Sequence, residues 1–355
     1  IAYMVIVSYQ FNAGGAVLNE VLTDEMGNSL ISIQTGTIIA AIFIIAYTML
    51  AGLVSVAYTD VANGIIIIFS FIIAIPIFLA QAGGFSGMAA SFEAMGKPEH
   101  MNFFGVYSTM DIINFCLPPF MLIMGDANMY QRFFASKNAK GAEQATKVLI
   151  FAVLLAELMI IFSAWVASSM IPDAEVGKYV LIYAAHKLLP TFLGAIMMTT
   201  IVGIIISTAD SYLLVPATTL MRDVYLNYIN PKADEKKIVF LSRMLVLGLG
   251  IIAYIVSLGF AKSAGFFERA LYAYTIYGAA ITPSLVAALF WKRATKEGAV
   301  VSILTGTVTT LLWKEAAFIQ NIIPQNIYNN MDEVLPAITL SVVSLVVVSL
   351  LTKKN

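Results

Sequence analysis

The stretch IISTADSYLL, residues 205–214, puts three hydroxyls and a carboxylate within five positions of an apolar run covering roughly 190–221. Hydrocarbon offers a polar group no partner, so each of these must find one inside the protein. An ionised Asp at the centre of a spanning helix costs at least ~2.5–3.5 kcal/mol. In helical geometry Ser207, Asp210 and Ser211 share one face, and Thr200 extends that stripe by two turns. Thr208 lies about 100° around the helix from Ser207. One reading has the hydroxyls bonding back to the carbonyl four residues earlier, or across to a neighbouring helix. The other has several oxygens converging on a small hard cation such as sodium. The carboxylate tilts the choice toward the second, although a position near the cytoplasmic end of the helix would lower its cost.

The surrounding chain supports a membrane setting. Of 355 residues, 60% are hydrophobic and 12% charged, about half the charged fraction of a soluble domain. Ten apolar runs are long enough to span a bilayer: about 1–20, 31–51, 61–81, 110–132, 147–170, 190–221, 239–260, 266–290, 297–313 and 334–352. None alternates with a period of two, so helices rather than a barrel are expected, giving an all-α polytopic membrane protein. A net charge of −1 gives no sign of nucleic-acid binding. The single cysteine, Cys116, excludes an intrachain disulfide and a cysteine metal cluster. His100 and His186 fall in predicted loops. Ile1 already lies within an apolar run, with no Met start, so the N-terminus reads as truncated.

Alternate connections divide the basic residues unequally. Fourteen, including Arg132, Arg222, Arg243, Lys353 and Lys354, fall on one side; six, including Lys178 and Lys262, fall on the other. The positive-inside rule makes the first side cytoplasmic, with both chain ends inside.

Interruptions mark where function would sit. FCLPPFMLIMGDANMYQR (115–132) carries Pro118 and Pro119 inside an apolar run, followed by Gly125, Asp126 and Asn128. A bent or broken helix is expected there. Broken helices expose carbonyls and helix ends to ions and substrates, although a plain packing kink is the alternative. In GLVSVAYTDVANG (52–64), Asp60 reads as the N-cap of the next span or as part of a second carboxylate cluster. The external segments 82–109 and 171–189 are long enough for short helices, and 175–190 suits either a surface lid or an amphipathic connector. Glu157 is a further mid-span acid with no evident partner.

Four stretches, in order along nearly the whole chain, resemble the sodium:solute symporter family. AGLVSVAYTDVANG is similar to its G-G-x-x-A-V-x-x-T-D-x-x-Q-G turn, with Asn63 where Gln is usual. GDANMYQRFFASKNAKGA is similar to its Q-R-x-x-A-A-K segment. IISTADSYLLVPATTLMRDVY resembles its S-T-x-x-S-x-L helix, and ALFWKRATKEGAVVSILTG resembles its L-F-W-K-R-x-T-x-x-G-A signature. The resemblance implies a LeuT-like fold of two inverted repeats with peripheral helices. Residues 1–81 would be the remainder of the first repeat (three helices), 82–109 an external loop, 110–293 the second repeat (five helices) and 294–355 two peripheral helices. It also implies that N-terminal spans are absent, among them the unwound first helix that contacts substrate and sodium.

By the same resemblance, Ser207 and Thr208 correspond to the hydroxyl pair of a conserved sodium site, with the Ile204 carbonyl as a third oxygen. Asp60, Asp210 and Ser211 match positions that form a second sodium site in some members, and Asp210 replaces what is often a hydroxyl or small residue. Candidate substrate contacts are Tyr9, Gln10, Asn12, Asp126, Asn128, Tyr274 and Tyr277, the aromatic ones being equally suited to packing. The expected function is sodium-coupled uptake of a small polar organic solute across the cell membrane by alternating access, without enzymatic chemistry. The alternative is the membrane solute-sensing module of a signalling protein, which the ending LTKKN does not favour.

Overall fold

The computed structural model describes residues 2–24, 28–172, 179–260, 266–328 and 330–352. Ile1, Lys178, Lys262, Lys353, Lys354 and the first part of the expected lid, 175–178, lie outside them. Among the described residues the chain is helical, apart from an isolated antiparallel bridge between Thr23 and Ser29. Each of the ten apolar runs contains a long helix or, in one case, a broken one. Helix α1 spans Ala2–Val21, α2 Ile33–Leu50, α3 Leu53–Gln81, α4 Gly84–Ala94, α5 Thr109–Gly125 and α6 Ala127–Phe134. Then follow α7 (Ala139–Ser168), α8 (Thr191–Thr219), α9 (Glu235–Phe260), α10 (Phe266–Phe290), α11 (Lys296–Glu315) and α12 (Val334–Leu351).

Among the described residues, eight helical stretches are long and apolar enough to cross a membrane. Helices α1 and α11 have the length, at 20 residues each, but carry more polar side chains. Hydroxyls within the spans are largely absorbed by their own helix. Thr48 donates to the Ile44 carbonyl (2.8 Å), Thr199 to Ala195 (2.8 Å) and Thr310 to Gly306 (2.9 Å), which removes most of their cost in an apolar setting.

Local chemistry explains the helix starts. Ser108 and Asp111 form a reciprocal capping box at α5, the Ser108 hydroxyl accepting from the Asp111 N–H and the carboxylate accepting from the Ser108 N–H. Asn138 caps α7 by accepting from the Gly141 N–H at 2.8 Å. Helix α3 begins eight residues before the expected span and is capped by Gly52. Asp60 therefore lies inside the helix, and the N-cap reading of it is overturned. Helix α8 also outruns expectation, continuing through a π-wound segment, Leu220–Ile229, past Arg222 and Asp223. The part of the external segment 171–189 that is described holds a short helix, Val180–Tyr183, running into a π turn, Ala184–Leu188.

The chain divides into two compact units. One comprises Tyr3–Gly105 with Arg132–Gly265. Within it α3 packs on α7 and α8, while α9 packs on α2 and α8. Phe11, Phe71, Phe78, Met88 and Phe92 are almost wholly buried in this unit. Helices α1 and α2 cross on glycines: a Cβ on Gly36 would sit 2.6 Å from the Gly15 carbonyl oxygen. The other unit is built from Val106–Gln131 and Phe266–Asn355, with the first two residues. There α10 packs on α5, α11 and α12, and α11 packs on α12, where Ser302 and Ser341 share a buried hydroxyl–hydroxyl bond of 2.8 Å.

Candidate functional site

In the first unit the stripe foreseen on α8 meets α3 along a polar seam. Ser70 and Thr200 join hydroxyls at 2.7 Å, and the Asn63 amide donates to the Gly203 carbonyl at 3.3 Å. Further along, the Ser207 hydroxyl donates to Asp60 Oδ1. The contacts ascend α8 as they descend α3, so the two helices run antiparallel. Their hydrogen-bonding residues recur at three- to seven-residue intervals, which keeps each set on one face.

Asp60 Oδ2 also accepts from Arg132 Nη2 at 2.7 Å, and the same nitrogen donates to Ser211 Oγ at 2.9 Å. Asp60, Ser207, Ser211 and Arg132 thus form one connected cluster. Thr208 turns differently, donating to the Ile204 carbonyl at 2.9 Å, so that its hydroxyl and that carbonyl lie side by side. Asp210 is wholly buried, and among the described residues neither of its oxygens meets a donor in hydrogen-bond geometry. Arg132 is the member of this cluster that the sequence reading counts only as cytoplasmic charge. Two acids on neighbouring spans, with a basic residue ending a third, were the available signal.

The predicted break in 115–132 exists, but its place is a correction. Pro118 and Pro119 sit inside α5, and the helix ends instead at Gly125. Asp126 separates α5 from α6; its Oδ1 accepts from the Asn128 N–H at 3.1 Å, which caps the second helix. Tyr277 on α10 holds both sides of the break. Its hydroxyl donates to the Gly125 carbonyl (3.0 Å) and accepts from the Ala127 N–H (3.2 Å). Thr282 donates to the Met121 carbonyl at 2.6 Å. Tyr274, on the same helix, is half-buried. These four residues, Asp126, Asn128, Tyr274 and Tyr277, belong to the second unit.

Tyr9, Gln10 and Asn12 are on α1, in the first unit. Asn12 faces α2 and accepts from the Thr37 hydroxyl at 3.4 Å, while Tyr9 is buried and Gln10 half-buried. Glu157 is exposed on α7.

A family-wide sequence profile described as the sodium:solute symporter family matches residues 1–306. The chain belongs to that family. Curated relatives include the high-affinity proline transporter PutP of Bacillus subtilis, 26% identical over 98% of this chain and 70% of its own length. The osmoregulated proline transporter OpuE of Bacillus subtilis is 24% identical over 90% of this chain and 64% of its own length. The sodium/proline symporter of Haemophilus influenzae is 25% identical over 87% and 62%. This family member therefore spans between 62% and 70% of the lengths of these relatives. Among solved structures, a Na+-coupled sialic acid symporter in a substrate-bound, outward-open state superposes with a TM-score of 0.71 at 15% identity. That match covers 100% of this chain and 74% of the other. It shows a shared LeuT-like fold. The symporter chain is a multi-pass membrane protein, and its family and curated relatives are transporters.

Proposed function

We propose that the protein couples inward sodium movement to uptake of a small polar organic solute, proline being the first to test because the curated relatives are named for it. The observation that carries this reading is the Thr208 hydroxyl lying beside the Ile204 carbonyl, with Ser207 the neighbouring residue on the polar stripe of α8. Three neutral oxygens on one turn suit a hard monovalent cation, and burial strengthens their attraction for it. Asp60, Asp210 and Ser211 form a second cation-attracting position beside them. Sodium is cargo here rather than a resident cofactor. Its binding stabilises the conformation that then accepts solute, which is how an ion gradient biases alternating access.

Substrate contacts are assigned to Tyr9, Gln10, Asn12, Asp126, Asn128, Tyr274 and Tyr277. The boundaries 1–81, 82–109, 110–293 and 294–355 stand as the proposed repeat organisation, with the C-terminus cytoplasmic. No covalent step is required of any side chain.

The test is solute uptake by the protein at its natural length, reconstituted in vesicles. An imposed sodium gradient is expected to drive accumulation, and the double variant Ser207→Ala with Thr208→Ala to lower sodium-stimulated uptake by at least tenfold. Uptake indifferent to the gradient, and unchanged in the double variant, would refute the mechanism.

A further inference from the structure

The second cation position already faces a positive charge. Arg132 Nη2 lies 2.7 Å from Asp60 Oδ2 and 2.9 Å from Ser211 Oγ, and the other Asp60 oxygen accepts from Ser207. An amino nitrogen of the guanidinium carries two hydrogens. One nitrogen therefore serves both oxygens, and Nη2 occupies a bridging place between Asp60 Oδ2 and Ser211 Oγ. We propose that Arg132 is a built-in competitor for sodium at the Asp60–Ser211 position, restricting this symporter to one sodium ion per cycle. The inference rests on the sodium-coupled reading above and specifies its stoichiometry.

Two physical arguments support it. Arginine stays protonated under all physiological conditions, so this competitor cannot be discharged by a proton. A sodium ion entering beside it would meet like-charge repulsion in a partly buried setting, where screening is weak; Asp60 is only 16% exposed at its side chain.

The experiment counts sodium. Binding of radioactive sodium to the purified, natural-length protein is expected to saturate at one ion per protomer, with a Hill coefficient for sodium-driven uptake near one. Arg132→Gln is expected to admit a second ion and raise the coefficient toward two. Arg132→Lys keeps the charge and is expected to stay at one, which separates charge from a general disturbance of the helix. Two ions bound by the wild type would overturn the proposal without any variant, so the question remains decidable even if Arg132→Gln fails to fold. Arg132→Gln indistinguishable from wild type in ion count and sodium affinity would overturn it too. A wild type that binds no sodium would instead defeat the sodium-coupled reading, and this inference with it.

Discussion

A carboxylate buried in an apolar setting calls for a partner, and three aspartates of this chain differ in the partners they take. Asp126 spends its charge on backbone, capping α6 through the Asn128 N–H. Asp60 takes a guanidinium and a hydroxyl. Asp210 takes neither. Residue type alone made all three equal candidates for ligand binding; only the partners separate them. Tyr277 is reassessed in the same way, since its hydroxyl bridges the two backbone groups on either side of the α5–α6 break. Each such bond contributes about 0.5–1.5 kcal/mol net. Tyr277→Phe should therefore destabilise the protein by about 1–3 kcal/mol and, as a proposed substrate contact, raise KM. Thermal unfolding in detergent and uptake kinetics check this. Lowered stability at unchanged KM would remove Tyr277 from the proposed substrate contacts and leave it a brace of the break.

Among the helices, the parts legible in sequence were those dictated by hydrophobic run length, and the illegible parts depended on partners far along the chain. The apolar run at 266–290 coincides with α10 because nothing but apolarity decides it. The break near Asp126 was misplaced because Pro118 and Pro119 dominate the local pattern. Prolines remove backbone donors and crowd the preceding turn, yet α5 runs through both of them to Gly125, where Tyr277 on α10 bonds to the backbone on either side of the break. Asp60 was misread for a related reason: a glycine-flanked stretch looks like a turn, yet α3 runs straight through it from Leu53. The polar stripe on α8 was visible from spacing, but the identity of its partner, Arg132, was not. Helix crossing gives a prediction at this scale. Gly36→Ala would push a methyl group against the Gly15 backbone, where no flexible side chain can yield. Overpacking of this kind costs about 1–3 kcal/mol. A lowered unfolding temperature is expected, and an unchanged one would mean that α1 and α2 separate freely.

For the molecule as a whole, the charge bias between loops predicts topology. With the more basic connections inside, Thr352 at the end of α12 is expected to face the cytoplasm. A cysteine placed there, after Cys116→Ser, should react with a membrane-impermeant maleimide only once cells are permeabilised; labelling of intact cells would invert the assignment. That orientation gives the length of α8 an electrical meaning. Ser207 lies sixteen residues beyond Thr191, about 24 Å along the axis at ~1.5 Å per residue, in a hydrocarbon layer about 30 Å thick. With Thr191 placed at the outer edge of the bilayer, a cation reaching the proposed site at Ser207 from outside would cross most of the transmembrane voltage, a drop of about 2.3 kcal/mol per charge for each 100 mV crossed. The resting potential would therefore act mainly on loading of the proposed site from outside and have little hold on the ion's last step inward.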